Sequence, residues 1–490
     1  MRRGMTSALG VLLAAGATLG ATVPVVAAPA PALDWQPCPE NAEVQCATLP
    51  VPLDWANPGG EQIEVAVARR PATDADQRIG SLVFMPGGPG GTGVDSLLAG
   101  SPFSPELSSR FDIVSYDPRG FGRSNPLQCD TELVLAGPDI LPGGPEKFEE
   151  IKRYNREVAA DCRARTGPII DHMDAVSVAR DIDAFRQALG EEQLSLYGIS
   201  YGTLVGQMYA ENFPDRVRAL VLDSVMDHSL SAGEFLVTEA ETAEDSFTEF
   251  AKWCAEDAQC ALHGEDVGAV YDELYERAEA GELHAPGDPS TPIGPVQLSS
   301  STLGAFYGPN WQQLADQLKA LRDDRPAPTA LALPETIPHS VAAFCGDWNI
   351  DIDSAERYAQ EWQRQNEAAP HMRFGLGGGV AWGCIDWPSP VQNPQHVPQI
   401  RTEAPILVLN AQHDPATGYN WATNVDRHVE QATLLTYDGW GHGVYDRGEC
   451  TTSAADRYFV DGVVPPEGTH CAAVPPTENP TVRPYVGWGG

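Results

Sequence analysis

Basic residues are scarce. The 490 residues include 31 Lys and Arg against 68 Asp and Glu, a formal charge of −37. Such a balance excludes an electrostatic grip on a nucleic-acid backbone or on an anionic membrane surface. Beyond the first 32 residues no apolar run of about 20 residues occurs, so no membrane span is expected there. No two cysteines have C-x-x-C spacing and no histidine cluster lies near one, which argues against zinc. Self-similarity at a period of about 20–50 residues is absent as well, excluding a repeat architecture. What is present is ordinary for a folded chain, with 42% hydrophobic and 20% charged residues. The acidity reads as a solvated surface, and the length suits one large domain with an insertion or roughly three domains of about 150 residues.

The chain opens with Arg2 and Arg3, then an apolar run from Ala8 to about Val26, then Ala28-Pro29-Ala30-Pro31-Ala32. A charged start, an apolar middle and a small-residue end predict a secretory signal over residues 1–32, cut after Ala28 or Ala32. No cysteine ends the apolar run, so lipid attachment is not expected. The mature chain is expected outside the cell, free of the membrane and monomeric. Ten cysteines agree with export, because an even number in an oxidising space reads as disulfides. The simplest pairing joins neighbours: Cys38–Cys46, Cys129–Cys162, Cys254–Cys260, Cys345–Cys384 and Cys450–Cys471.

Short apolar runs mark strands at Ser81–Met85, Phe111–Tyr116, Leu194–Tyr197 and Ala219–Asp223, with a weaker alternation over Ile63–Ala68. Helical patterns fall between them. Val178, Ile182, Phe185 and Leu189 share one face, and Thr203–Asn212 stops before Pro214. Such alternation predicts an α/β fold, a mostly parallel central sheet flanked by helices. From about Asp227 to Thr402 the pattern turns helical and acidic; strands resume at Ile406–Leu409 and Ala432–Tyr437. The expected organisation is therefore a first core part over 33–227, an inserted helical cap over 228–402 and a second core part over 403–490.

Gly198-Ile199-Ser200-Tyr201-Gly202 is a G-x-S-x-G motif between a predicted strand and a predicted helix. That context is what a nucleophile elbow demands, with Ser200 exposed on a sharp turn at the carboxyl edge of the sheet. A serine hydroxyl needs a base, and in this fold the partners follow in the order Ser, acid, His, each after a later strand. Asp414 and His442 occupy those two slots. Asp414 is expected to fix the tautomer of His442, and His442 to move the Ser200 proton. His413 beside the acid is expected to point elsewhere, His428 to lie on a helix surface and Asp438 to be a turn residue. For the oxyanion, the N–H of Tyr201 is one donor and Gly88 in the Gly87–Gly93 loop the other, with Gly87 next in line. That loop lacks the G-K-[ST] ending of a phosphate loop. The Asp117–Ser124 turn is expected to stabilise the fold.

Taken together, GGPGGTG at 87–93, DPRGFGRS at 117–124, GISYGT at 198–203, NAQHDPAT at 410–417 and GWGH at 439–442 resemble the secreted tripeptidyl aminopeptidases of bacteria. These belong to the proline-iminopeptidase-like branch of serine α/β-hydrolases. The likeness spans about residues 35–475, including Cys345, Cys384 and a C-terminal segment like that of the aminopeptidases. It implies an α/β-hydrolase fold, no metal or organic cofactor, and release of short peptides, tripeptides in the first instance, from a substrate with a free amino terminus. Such an enzyme must hold an ammonium group, and a carboxylate in a partly buried cleft suits that. The cap offers Glu239, Glu241, Glu244, Asp245 and Asp347, of which Asp347, beside Cys345, is the most attractive. Two other readings use the same residues. One is a secreted carboxylesterase with the same triad; the other is a catalytically silent binding protein on this fold.

Overall fold

Continuous apolar strands belong in a sheet covered on both faces, and that is where this chain puts them. The computed structural model describes Met1 and residues 33–285, 288–323 and 336–476; apart from Met1, the expected signal lies outside the described residues. Ten strands make the main sheet: β1 Gln36–Pro37, β2 Gln45–Pro52, β3 Gln62–Arg70, β4 Gly80–Met85, β5 Phe111–Tyr116, β6 Leu194–Ile199, β7 Val217–Asp223, β8 Ile406–His413, β9 Ala432–Trp440 and β10 Thr469–Cys471. Their spatial order is β1-β2-β3-β5-β4-β6-β7-β8-β9-β10. Every neighbouring pair from β5 to β10 is parallel, and β1 to β3 form an antiparallel edge that joins β5.

Two details depart from the sequence reading. Strand β2 contains Pro50 and Pro52, which disguise it. It is tolerated because β1 covers only Gln45 and Cys46, so the far edge of β2 needs no ladder donors at the prolines. Asp438 is no turn residue: β9 runs on to Trp440, and the Asp438 carboxylate accepts from His470 Nδ1 at 2.6 Å.

Six helices frame the site. They are α1 Ala175–Leu189, α2 Tyr201–Asn212, α3 Ala232–Glu256, α4 Pro295–Tyr307, α5 Val341–Asp347 and α6 Leu376–Gly383. Helix α1 starts at Asp174, whose carboxylate accepts from Ser177 N–H, and stops at Gly190 with φ 74°. It buries Val178, Ile182 and Phe185. Helix α3 begins with a reciprocal cap between Ser231 and Glu234. Helices α3 to α6 all lie in the stretch between β7 and β8. Part of that stretch has its own apolar cluster, including Phe247, Phe250, Tyr271, Phe306 and Trp311. Phe235, Phe344, Trp348 and Trp382 instead join the cluster that holds Leu204, Val205 and Ile406 beneath the sheet. The inserted helices therefore share a core with the sheet rather than resting on it.

All five disulfides join sequence neighbours: Cys38–Cys46, Cys129–Cys162, Cys254–Cys260, Cys345–Cys384 and Cys450–Cys471. None of the ten cysteines is free. The fourth ties α5 to the end of α6. No helix among the described residues is long and apolar enough to cross a membrane.

Candidate active site

Strand β6 ends at Ile199 and helix α2 begins at Tyr201, leaving Ser200 alone at the bend with φ 57° and ψ −126°. A side-chain-bearing residue held there stores about 1–3 kcal/mol of strain and persists only when its surroundings over-determine it. They do. Ser200 N–H donates to the Asp223 carbonyl at 3.0 Å, and its own carbonyl accepts from Thr203 N–H at 2.8 Å and Thr203 Oγ1 at 2.5 Å. The flanking glycines allow the helix to pass close to the sheet. A Cβ on Gly202 would stand 2.2 Å from the Met85 carbonyl oxygen, and one on Gly198 2.5 Å from that of Gly202.

The glycine loop after β4 lies against this bend. A Cβ on Gly87 would fall 2.9 Å from Ser200 Cβ, so Gly87 touches the serine and Gly88 follows with φ 122°. Tyr201 supplies the first amide of α2. A narrow, mainly apolar cavity opens beside them, lined by Gly87, Tyr116, Phe121, Met173, Tyr201 and Val205 among others.

Asp414 and His442 meet from the ends of β8 and β9. His442 Nδ1 donates to Asp414 Oδ1 at 2.9 Å, and Asp414 also accepts from the N–H groups of Ala416 and Thr417 at 2.9 Å each. Thr417 Oγ1 adds a donor to Asp414 Oδ2 at 3.1 Å. Burial pushes the Asp414 carboxyl up, but the charge and hydrogen bond of His442 and the Ala416 amide outweigh it and hold it below the usual range. Ser200 and His442 are each 7% exposed, and part of that cover comes from the inserted stretch. The Tyr307 ring at the end of α4 lies 4.7 Å from the His442 ring, and its carbonyl accepts His442 N–H at 2.9 Å.

Several positioning residues escaped the sequence reading. Asp223, at the end of β7, accepts from Val444 N–H at 2.8 Å, Tyr445 N–H at 2.9 Å and Tyr197 OH at 2.6 Å. With its carbonyl on Ser200 and its carboxylate on the loop after His442, it ties both to one strand end. Ser224, at φ 58°, accepts from Gly443 N–H at 2.7 Å. An aspartate closing the apolar run Ala219–Leu222 was the available signal. The Asp117–Ser124 turn is structural: fully buried Arg119 makes a paired bond to Asp181 and donates to the carbonyls of Pro52 and Leu53.

The carboxylates considered for an ammonium group fall into different places. Asp347 is not in a cleft: it is fully buried and its acceptor positions are taken by Ala175 N–H, Asn393 Nδ2 and Tyr201 OH. Burial, then the nearby Asp174, raises it to about 8. Glu241 is exposed on α3. Glu244 accepts the amides of His371 and Met372, and Asp245 pairs with His413 Nδ1 at 2.8 Å. Glu239 alone of the five is both buried and incompletely engaged. Its Oε2 has no hydrogen-bond partner among the described residues, and burial lifts it to about 8 despite the Gly377 and Gly378 amides at the start of α6. His413 faces α3 away from Asp414, and His428 is exposed at the end of the helix Tyr419–His428.

A profile of the α/β-hydrolase fold matches residues 80–449. The chain belongs to the α/β-hydrolase family. The serine protease Hip1 of Mycobacterium tuberculosis is 32% identical over 476 residues, covering 90% of this chain and 91% of that protein. Carboxylesterase B of the same species is 33% identical over 494 residues, covering 94% and 92%. The tripeptidyl aminopeptidase of Streptomyces lividans is 29% identical over 481 residues, covering 92% and 89%. Among solved structures, proline iminopeptidase of Mycobacterium smegmatis covers 84% of this α/β-hydrolase and 97% of that chain, with a TM-score of 0.40 and 15% identity.

Proposed function

We propose that the protein is a secreted serine exopeptidase that removes short peptides, tripeptides in the first instance, from substrates with a free amino terminus. The observation that carries the chemistry is the strained Ser200, tied through Asp223 to the loop that follows the His442 of a buried Asp414–His442 pair. Ser200 Oγ attacks the scissile carbonyl while His442 takes its proton. Tyr201 N–H and Gly88 N–H donate to the resulting oxyanion. His442 then protonates the leaving amine, and the same steps run with water to free the acyl group from Ser200. Asp414, kept ionised, stabilises the imidazolium formed in between.

Export is supported by the three-part N-terminus and the five disulfides. For the amino terminus the supporting residue is Glu239, the one carboxylate among the described residues of the inserted stretch with a buried, unfilled acceptor. Ionised by a docking ammonium, it would pull substrate affinity up with pH toward about 8. Above the α-amino pKa of about 8, affinity falls again. The second reading is a carboxylesterase, favoured by the 33% identity to carboxylesterase B.

Turnover of Ala-Pro-Ala-p-nitroanilide, with its amine free and then acetylated, beside a p-nitrophenyl ester separates them. Cleavage of the free-amine peptide alone is the expected result; ester cleavage with both peptides untouched makes the protein an esterase. Glu239→Gln is expected to raise KM for the free-amine peptide at least about tenfold and to leave ester turnover unchanged.

A further inference from the structure

We infer that Asp347 is a positioning residue for acyl transfer: its carboxylate clamps the Tyr201 phenol and so keeps the Tyr201 N–H aimed at the developing oxyanion. The inference rests on the serine-hydrolase reading above and adds to it a residue that contacts neither substrate nor Ser200. Tyr201 immediately follows a nucleophile held at φ 57°, and such a bend stays bent only while its neighbours fix it. The amide side of Tyr201 is fixed by the helix it starts. Its side chain is fixed by Asp347 Oδ2, which accepts the phenol O–H. The other acceptor, Asp347 Oδ1, takes Asn393 Nδ2 at 2.7 Å and Ala175 N–H at 3.0 Å.

Asp347 is thus anchored independently of Tyr201, to the first turn of α1 and to the segment before β8. Its own carbonyl bonds His228 Nε2 at 2.8 Å. Two residues earlier, Cys345 is bonded to Cys384. The clamp is therefore held from several segments at once. Tyr201 also lines the narrow cavity that Gly87 and Val205 line, so its side chain and the strained elbow share one wall.

The test compares wild type, Tyr201→Phe, Asp347→Asn and the double variant. Tyr201→Phe deletes one hydrogen bond and leaves Asn393 and Ala175 on Asp347, so the fold is spared. Both Ala-Pro-Ala-p-nitroanilide and a p-nitrophenyl ester serve as substrates, with the peptide aldehyde Ala-Pro-Ala-al as a mimic of the tetrahedral state. Losing an oxyanion donor outright costs about a hundredfold to a thousandfold, and mis-aiming one costs a part of that. The expected result for Tyr201→Phe is a kcat about ten- to a hundredfold lower on both substrates. Its KM is unchanged, and aldehyde affinity falls by the same factor as kcat/KM.

Asp347→Asn is expected to match it, and the double variant to lose no more than either single. A Tyr201→Phe protein with kcat and aldehyde affinity within threefold of wild type overturns the clamp. So does a variant whose losses are additive, or one that only melts earlier. A wild type inert toward anilide and ester alike removes the serine-hydrolase reading and the clamp with it.

Discussion

Ser200→Ala deletes the nucleophile without touching the bend that presents it, so turnover should drop by at least about a thousandfold with the melting temperature kept. His442→Ala should do the same, whereas His413→Ala, which breaks only the pairing with Asp245, should leave most activity. Steady-state rates on one anilide or ester check all three; an active Ser200→Ala protein would mean that another group attacks. Ser200, Asp414 and His442 could be picked out because each sits where chain order and strand ends place it. Asp347 was legible only as an acid beside a cysteine. Its partners Ala175, Tyr201 and Asn393 come from three distant segments, and no local pattern announces that they meet.

At the scale of elements, the parallel strands could be read because a doubly covered strand carries a continuous apolar run, as Ile406–Leu409 does. Strand β2 could not, since its prolines are permitted by the shortness of β1, a tertiary fact. The helices between β7 and β8 were recognisable as a helical stretch but not in their arrangement, which depends on long-range packing such as Phe235 against Trp421. The junction of β6 and α2 yields a sharper prediction. Gly202→Ala drives a methyl into the Met85 carbonyl at 2.2 Å, so the elbow must open. Loss of fluorophosphonate labelling of Ser200 should accompany a destabilisation of about 1–3 kcal/mol in urea melts.

Over the whole molecule the buried acids set the pH response. Glu239 and Asp347 each have a folded pKa of about 8, against about 4 in the unfolded chain. Their neutral forms stabilise the fold, so that stability is present at low pH and is lost as pH rises toward 8. His413, raised because the hydrogen bond and charge of Asp245 outweigh its burial, also favours the protonated fold and loses its contribution above about 6.5. His228, lowered to about 4 by burial, opposes them only between about 4 and the ordinary histidine value of about 6.5. Between pH 6.5 and 8 these groups act together. Melting temperature should fall across that interval, and Glu239→Gln should flatten the fall; a rise would refute the assignment. Reduction with a dithiol should lower the melting point further, since native bridges are typically worth about 2–5 kcal/mol each.

The hydrogen bond from His442 N–H to the Tyr307 carbonyl has a bearing on ancestry and engineering. The loop that carries the base is completed by a helix end lying some 135 positions earlier in the chain, inside the inserted stretch. The loop of His442 and the end of α4 are therefore a matched pair that has to be exchanged together. A transplanted roof from a relative must bring its own carbonyl to that amide, and a roofless core is not a smaller hydrolase but an unfinished one.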